Sequence, residues 1–485
     1  MNNDTVIYWE EPQRQSPAAI FIILLKTGLT LLKTFWPALV VIFFGQREKN
    51  DNNVVLYVII AFAVLTLVAS ILNYFYYTFH VKENNLVINS GFFRKKVTTL
   101  PLRNIIAVHL EQNLWQRALK VMKVKIDSAG SEKMEVKIDA LALQKSIAFR
   151  EYLLNERGNA EDITEAPKSF RLSPSALLKL SITANHLEAF FILLAVGINL
   201  VDDLEEILGF DSWKIAGEYA GDLAGGAIAA MLLFVTVLSV IISAGRTLLK
   251  YFDFSLAQTP LGWKVHYGLL NRVQQVVPYQ KVQLLSWRAN FLRRKLDMWV
   301  LKVHSTGHSE TREKQHIGLP VIGERNVWDL VSFYLQPPVE IESGKKISKK
   351  YVLRKILVVA LPVTIILSLA ATVWLGLNGL VFLLIFPLMC IYFSRWQANF
   401  RYVFTKSGLQ VRSGVWGRRY TILAWKKIQL VEERRSIYQM GRGLSTIVFH
   451  TAGGALRVPF VEAGEGALMM DLVLYYVETD RERWK

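Results

Sequence analysis

The sequence predicts an α+β protein with membrane helices. We expect three transmembrane helical hairpins, each followed by a small antiparallel β-sandwich or barrel that a C-terminal helix caps. One reason is a segment that recurs at residues 91–130, 268–307 and 414–453 and begins and ends with glycines 39 positions apart in every copy. The other is that paired apolar segments precede each copy in a chain whose residues are 52% hydrophobic. A length of 485 residues suits about three domains.

Each copy carries the pattern of a strand hairpin, a tight turn and further strands. In the first copy, residues 77–82 and 85–90 alternate apolar and polar side chains and are separated by turn residues. The glycine that follows permits a turn with positive φ, and an arginine and a β-branched strand come next. Apolar side chains at three- and four-residue spacing then predict one helix for each copy, at residues 140–154, 323–335 and 464–477.

The apolar segments form three pairs, and each pair is long enough to cross a bilayer and return. The last pair is the clearest, because no charged residue occurs between residues 356 and 394 and Asn378 and Gly379 supply a turn. The six predicted spans are residues 27–45 with 54–74, 187–201 with 226–244, and 356–377 with 380–393.

These spans and copies divide the chain into alternating membrane and domain segments. The hairpin segments, the first with an N-terminal lead, are residues 1–76, 170–250 and 349–396. The three domain segments are residues 77–158, 251–337 and 397–480.

A serine followed by proline opens two of the apolar stretches, at Ser16 and Ser173, and this pair is typical of a helix start. Lys26, Lys33 and Lys179 interrupt the residues that follow. One interpretation is a slanted helix at the membrane surface whose lysines reach the headgroups. Ordinary helix capping explains the same residues equally well.

The distribution of charge predicts the orientation in a bacterial cytoplasmic membrane. The loop at residues 202–222 holds seven acidic residues and one lysine, whereas lysines and arginines flank the other ends of the spans. Basic residues near span ends favour the cytoplasmic side, so we expect both termini and all three domains inside. The net charge of +17 suits an anionic leaflet, and the single cysteine, Cys390, excludes a disulfide framework.

The sequence predicts no catalytic residue, metal site or cofactor. His304 and His308 straddle a predicted turn without a third ligand nearby. His304 and His450 share a repeat position with Asp127, which indicates a polar strand end. A membrane enzyme would need titratable groups that converge on one site.

Basic side chains recur on two predicted strands of each copy and are the candidate binding residues. We expect them to bind anionic lipid or an acidic partner, or else to form a solvated outer face. Nucleic acid is not expected, because no nucleic-acid motif is visible. The candidates are Arg94, Lys95, Lys96 and Arg103 in the first copy, Arg272 and Lys281 in the second, and Arg418, Arg419, Lys426 and Lys427 in the third.

The residues that carry a family resemblance are the Gly-x-x-Arg entry, the Pro-Tyr-Gln-Lys-Val-Gln run at 278–283 and the Gln-Asn-Leu-Trp-Gln-Arg run at 112–117. They resemble the bacterial pleckstrin-homology-like domain of the second type, formerly a domain of unknown function. The three-copy arrangement resembles the YdbT-like membrane proteins of bacteria. The third copy departs from the pattern, with Ala424 in place of the proline and Met440 in place of the last arginine.

The resemblance implies a non-enzymatic scaffold or interaction protein. It also implies a smaller membrane partner with a similar domain, and a role in envelope stress or antimicrobial resistance. The alternative is a transporter or lipid-handling protein. A polar cavity among the spans would favour that alternative, and a bundle lined only by apolar residues would favour the scaffold.

Overall fold

The computed structural model describes residues 9–44, 52–92, 94–128, 136–155, 169–208, 222–260, 262–305, 316–334 and 341–479. It divides into two compact units, Met1–Arg171 with Leu249–Pro278, and Leu172–Leu248 with Tyr279–Lys485. The boundary between these units falls inside the second repeat.

The first repeat consists of two long helices and two small antiparallel sheets that share one core. The first sheet has the order β1-β2-β3-β4, and β5, β6 and β7 form the second. Phe79, Leu86 and Leu110 meet Phe149 of the C-terminal helix in this core. The elements are β1 (Gln13–Arg14), α1 (Ala18–Phe44), α2 (Asn52–Phe75), β2 (Thr78–Lys82), β3 (Asn85–Ser90), β4 (Lys96–Pro101), β5 (Ile105–Gln112), α3 (Leu114–Ala118), β6 (Val121–Ser128), β7 (Val136–Ala142) and α4 (Leu143–Asn155).

The second repeat has the same order of strands and one additional short helix after its opening strand, but its two sheets belong to different compact units. Ser173 caps the first helix after the opening strand, since its hydroxyl accepts from the Ala176 amide at 3.3 Å. The elements are β8 (Ser169–Arg171), α5 (Pro174–Ile182), α6 (Leu187–Leu208), α7 (Asp222–Tyr251), β9 (Ser255–Thr259), β10 (Gly262–Tyr267), β11 (Arg272–Pro278), β12 (Val282–Ala289), α8 (Phe291–Lys295), β13 (Met298–Ser305), β14 (His316–Ile322) and α9 (Glu324–Val331).

The third repeat again places two sheets and a C-terminal helix around one core, in which Leu409, Phe449 and Met469 are buried. A hairpin of membrane helices precedes it. The elements are α10 (Lys350–Lys355), α11 (Leu361–Leu375), α12 (Ile385–Asn399), β15 (Arg401–Phe404), β16 (Gly408–Ser413), β17 (Arg418–Ala424), β18 (Leu430–Arg434), α13 (Ile437–Met440), β19 (Leu444–Thr451), β20 (Gly454–Glu462) and α14 (Ala463–Thr479).

Two strand joints connect successive repeats, and the sequence patterns did not predict them. β11 of the second repeat pairs with β5 of the first, which produces a seven-stranded sheet. β17 of the third repeat pairs with β12 of the second, which produces a six-stranded sheet. A sheet of one repeat therefore continues directly into a sheet of the next.

The predicted strands and C-terminal helices are confirmed, with small shifts at their ends. The first C-terminal helix begins at Leu143, three residues later than predicted. Residues 140–142 complete β7 instead, because Ala140 is fully buried and its carbonyl accepts from the Ser16 amide at 3.0 Å.

Four helical stretches among the described residues are long and apolar enough to cross a bilayer, namely Ala18–Phe35, Tyr57–Phe75, Ala229–Tyr251 and Lys350–Asn399. A fifth is counted if α5 and α6, which meet at 55°, form one broken span. The last stretch folds back on itself, because Tyr351 of α10 stacks on Trp396 of α12 at 4.7 Å between ring centres. Six crossings in total stay a prediction.

The two predicted surface helices turn out differently. The first is not separate from its span, since α1 continues without a break through Lys26 and Lys33. The second is a separate helix, α5. The end of α5 is hydrogen-bonded to α8 and the residue before it. The Asn290 side-chain amide donates to the Thr183 carbonyl at 3.1 Å, and Arg293 Nε donates to the Thr183 hydroxyl at 3.2 Å.

Candidate functional site: the turns beside the membrane helices

Each repeat begins its third strand after a turn that only glycine can open without strain. Gly91, Gly268 and Gly414 have φ angles of 90°, 108° and 126°. A Cβ at any of them would overlap the carbonyl oxygen of the residue three positions further on. The prediction that these glycines occupy the same turn is confirmed.

In the second repeat this turn is hydrogen-bonded to the last turn of the preceding membrane helix. The Gly268 amide donates to the Phe252 carbonyl, and the Leu269 amide donates to the Leu249 carbonyl, each at 2.9 Å. The unsatisfied carbonyl groups at a helix end are thus capped by the β-turn. The contact fixes the turn at the point where the helix ends.

The first and third repeats make the equivalent contact with side chains. Phe92 lies 5.0 Å from Tyr76, which follows α2, measured between ring centres. Trp416 lies 6.2 Å from Tyr392 of α12. Asn399 at the end of α12 donates its side-chain amide to the first two carbonyls of the turn, at 3.0 and 3.1 Å. All three turns therefore contact the end of a membrane helix.

The tips of these turns expose large apolar side chains beside basic ones. Phe92, Leu270 and Trp416 are 38%, 40% and 67% exposed. Arg94 and Lys95 follow in the first turn and are exposed to solvent. Aromatic or aliphatic side chains together with arginine and lysine are the combination that settles at a membrane interface. We define these three segments, residues 91–95, 268–272 and 414–418, as the interfacial turns.

The predicted basic residues do not form one continuous face. One group lies at the interfacial turn and the start of the following strand: Arg94, Lys95, Lys96, Arg272, Arg418 and Arg419. The other lies in a short 3₁₀ turn at the opposite end of the same strand: Arg103, Lys281, Lys426 and Lys427. A strand of six or seven residues separates the groups by about 20 Å, more than two Debye lengths at physiological salt. Only the first group is placed beside the membrane helices.

Two residues of the second group differ from the expected solvent exposure. Lys281 is only 6% exposed, because it leads into β12, which β13 and β17 flank inside a six-stranded sheet. Lys427 donates its ammonium group to the Gln280 carbonyl at 2.7 Å and so connects the 3₁₀ turns of the second and third repeats. Arg103 and Lys426 are exposed.

Three residues of the first group belong to the strand joints. Arg272 lies opposite Gln112, and Arg418 lies opposite Ala289. Arg419 lies opposite Arg288. Desolvation, and then the charge of Arg288, lower the pKa of Arg419. Arg94, Lys95 and Lys96 of the first repeat have no such strand opposite them among the described residues.

A polar pair recurs at one position of the second sheet in every repeat. His109 Nε2 lies 3.2 Å from Asp127 Oδ2, and Ser286 Oγ lies 3.0 Å from His304 Nε2. In the third repeat His450 Nε2 lies 3.1 Å from Glu432 Oε2, and Arg434, followed by His450, lowers the pKa of Glu432 to about 2. The prediction of a polar strand end is confirmed.

No group of three or more potential metal ligands occurs in the described parts of the chain, and His308 lies outside them. The recurring pairs connect neighbouring strands of one sheet. They therefore have a structural explanation that needs no ligand.

An open groove of about 490 Å³ lies between α1 and α2 and was not predicted. Thr27 of one helix approaches Ser70 of the other, with hydroxyl oxygens 3.4 Å apart. The groove's polar lining within the two helices consists of Lys26, Thr27, Thr30, Thr66, Ser70 and Asn73. Hydroxyl side chains were individually too weak a signal to predict this groove, because Thr30, Thr66 and Ser70 also donate to carbonyl groups of their own helices.

A family model described as Bacterial PH domain matches residues 22–157, 191–336 and 356–475. The chain belongs to the bacterial PH domain family. It is also 21% identical over 462 residues to the UPF0699 transmembrane protein YdbT of Bacillus subtilis (strain 168), a match that covers 90% of this chain and 92% of that protein. No solved structure matches it significantly. The protein is thus a YdbT-like transmembrane protein with three bacterial PH domains.

Proposed function

We propose that this protein is a non-enzymatic scaffold of the bacterial cytoplasmic membrane. Its termini and its three bacterial PH domains lie in the cytoplasm, with the interfacial turns against the anionic inner leaflet. The observation that carries this proposal is the contact between each interfacial turn and the end of a membrane helix. Such a contact fixes the orientation of each PH domain on the membrane, as a scaffold requires.

The proposed partners are anionic lipids and a smaller membrane protein with a similar PH domain. The strand joints support a partner of this kind, because bacterial PH domains of this chain already bind one another edge to edge. The physiological setting that we propose is envelope stress or antimicrobial resistance, and only the family resemblance supports it. Deleting the gene should then raise sensitivity to membrane-active antimicrobials, and complementation should restore resistance.

The placement at the leaflet can be tested by fluorescence quenching in liposomes. The chain is stripped of its only cysteine (Cys390→Ser), and a dye is attached at Trp416→Cys or Lys426→Cys. The two sites lie near opposite ends of β17, about 20 Å apart. Nitroxide groups on the lipid headgroups should quench the dye at 416 strongly and the dye at 426 weakly. Equal quenching, or stronger quenching at 426, would contradict the proposal.

Lipid handling is a second candidate, and the polar groove between α1 and α2 favours it. A hydroxyl-lined path could shelter a lipid headgroup, whereas a bundle with only apolar contacts could not. Thr30→Leu and Ser70→Leu would fill the groove with apolar atoms. If the protein handles lipid, proteoliposomes should exchange fluorescent phosphatidylglycerol between leaflets and these variants should not. Exchange equal to that of empty liposomes would exclude this function.

A further inference from the structure

The strand joints within the chain leave two equivalent edges without a neighbour. β5 and β12 occupy the same position in the second sheet of their repeats as β18 does in the third. β11 and β17 lie in the first sheets of the second and third repeats. Each occupies the position that β4 occupies in the first sheet of the first repeat. In the described residues β18 and β4 are each the outermost strand of their sheet. The far edges of the second sheets are alike, because β7, β14 and β20 are each outermost. The far edge of the first sheet is β1 or β8 in the first two repeats and β15 in the third.

Apolar side chains on β18 and β4 are exposed, whereas the side chains at the same positions of β12 and β17 are buried. Leu430 in β18 is 57% exposed, whereas Leu284 at the same position of β12 is 5% exposed. Val97 in β4 is 63% exposed, whereas Tyr420 at the same position of β17 is 4% exposed. Exposed apolar strand edges are templates for pairing with another chain.

The two joints within the chain have the same register. Glu111 lies opposite Val273 in the first joint, and the equivalent Arg288 lies opposite Arg419 in the second. Transferring this register to the open edges places Glu433 of β18 opposite Val97 of β4 and Arg434 opposite Lys96. The like-charged pair Arg434 and Lys96 would repeat the pair Arg288 and Arg419, which occurs in an intact joint.

We infer that β18 of one copy of this chain pairs with β4 of a second copy in the register of the internal joints. A second copy suits this edge because it would continue the pattern of the internal joints. In those joints β11 and β17 pair with the strands equivalent to β18, and β4 is the remaining strand equivalent to β11 and β17. In this register Glu432 and Glu433 lie diagonally across from Lys96 and Lys95, within reach of an ion pair. The interface is head-to-tail, so each copy presents one β4 edge and one β18 edge.

This inference names a partner for the scaffold and rests on that proposal only for the common membrane orientation of the copies. Its test is disulfide cross-linking of the full-length protein in membranes, in a Cys390→Ser background. One chain carries Val97→Cys and one tag, and the other carries Glu433→Cys and a second tag. Mild oxidation should give a dimer that contains both tags. Dimers with only one tag, or no cross-link, would overturn the inference.

A register control uses Glu432→Cys in place of Glu433→Cys. A shift of one residue moves the thiol to the opposite face of the strand, so the yield of the cross-link with Val97→Cys should fall about tenfold. Equal cross-link yields from Glu432→Cys and Glu433→Cys would mean that the thiols meet by random collision and not through strand pairing. A cross-link from Glu433→Cys to a smaller protein, with none to the second copy, would also overturn the inference while leaving the scaffold proposal intact.

A single chain with both Val97→Cys and Glu433→Cys provides a second measurement. Head-to-tail pairing should convert it into a ladder of dimers, trimers and larger species, whereas each single variant should give dimers at most. Absence of the ladder, with the unfolding temperature unchanged, would count against the interface. The quenching pattern of dyes at 416 and 426 would still report separately on the scaffold proposal.

Discussion

Arg288 and Arg419 lie directly opposite each other where β12 of the second repeat pairs with β17 of the third. Like charges directly opposite each other on neighbouring strands destabilise the pairing of those strands. The joint forms nevertheless, because Trp287 and Tyr420 stack beside it with ring centres 5.3 Å apart and both are buried. The burial of these two aromatic side chains outweighs the repulsion between the two arginines.

Reversing one of these charges should stabilise the joint. Arg419→Glu places a carboxylate opposite Arg288, and we expect the free energy of unfolding to rise by about 0.5 kcal/mol. Thermal unfolding in detergent measures the change. Lys426→Glu, an exposed position just beyond the same strand, is the matched control and should have little effect. A loss of stability in Arg419→Glu alone would contradict the pairing.

Gly268 should not tolerate a side chain, because of its positive φ and the overlap that a Cβ would make with the Asn271 carbonyl. We expect Gly268→Ala to lower the free energy of unfolding by at least about 1 kcal/mol. The control is Gly464→Ala in α14, where a Cβ meets nothing within 4 Å. That variant should be neutral or more stable, since alanine is the better helix former. Equal losses in both variants would argue against a special turn.

Tyr334 connects two repeats through its hydroxyl group. It donates to the Gln283 carbonyl at 2.6 Å and accepts from the Ala424 amide at 3.2 Å. Tyr334→Phe removes both bonds inside the protein, so it should cost about 1 to 3 kcal/mol at neutral pH. Tyr475→Phe at an exposed position should cost nothing measurable. Unfolding temperatures of the two variants decide the point.

The same tyrosine predicts a dependence on alkaline pH. Burial raises the pKa of Tyr334 above its ordinary value, although the Ala424 amide lowers it in part. Because the folded pKa is raised, the contribution of Tyr334 is complete below about pH 10 and is lost as the pH rises above that value. Wild type should therefore lose more stability than Tyr334→Phe between pH 9 and pH 11. Parallel losses would contradict this assignment.

Local patterns in the sequence predicted the local structure. Alternating side chains and a following glycine predicted β2, β3 and the turn at Gly91, because neighbouring residues determine these features. The joints could not be predicted in this way, since Glu111 and Val273 are far apart in sequence and neither carries a pairing signal. The burial of Lys281 follows from a joint of the same kind. The basic residues were therefore identified by type, but their division between two ends of a strand was not.

The basic residues at the first interfacial turn should give a preference for anionic lipid. Arg94, Lys95 and Lys96 are exposed and follow the turn that contacts the end of α2, and each should contribute about 1 kcal/mol near an anionic leaflet. A polarity-sensitive dye at Phe92→Cys, in a Cys390→Ser background, should shift to the blue in nanodiscs that contain phosphatidylglycerol. The shift should disappear at high salt.

Neutralising these three residues to glutamine should remove the shift, and Arg103→Gln should retain it. Arg103 has the same charge but lies at the other end of β4. A shift that persists in the triple variant, or that depends equally on Arg103, would assign the lipid preference to another surface.

The distribution of charge along the chain predicts its topology in the membrane. Each pair of apolar segments leads directly into a PH domain. Residues 202–222 hold seven acidic side chains and one lysine, whereas basic residues follow the other ends of the predicted spans. Because lysine and arginine near span ends are retained in the cytoplasm, a reporter fused after Trp213 should be external and one fused after Lys485 internal. Alkaline phosphatase and green fluorescent protein fusions, which are active on opposite sides, make the measurement. If both positions report the same side, α6 and α7 do not form a hairpin across the membrane and the six-span arrangement is wrong.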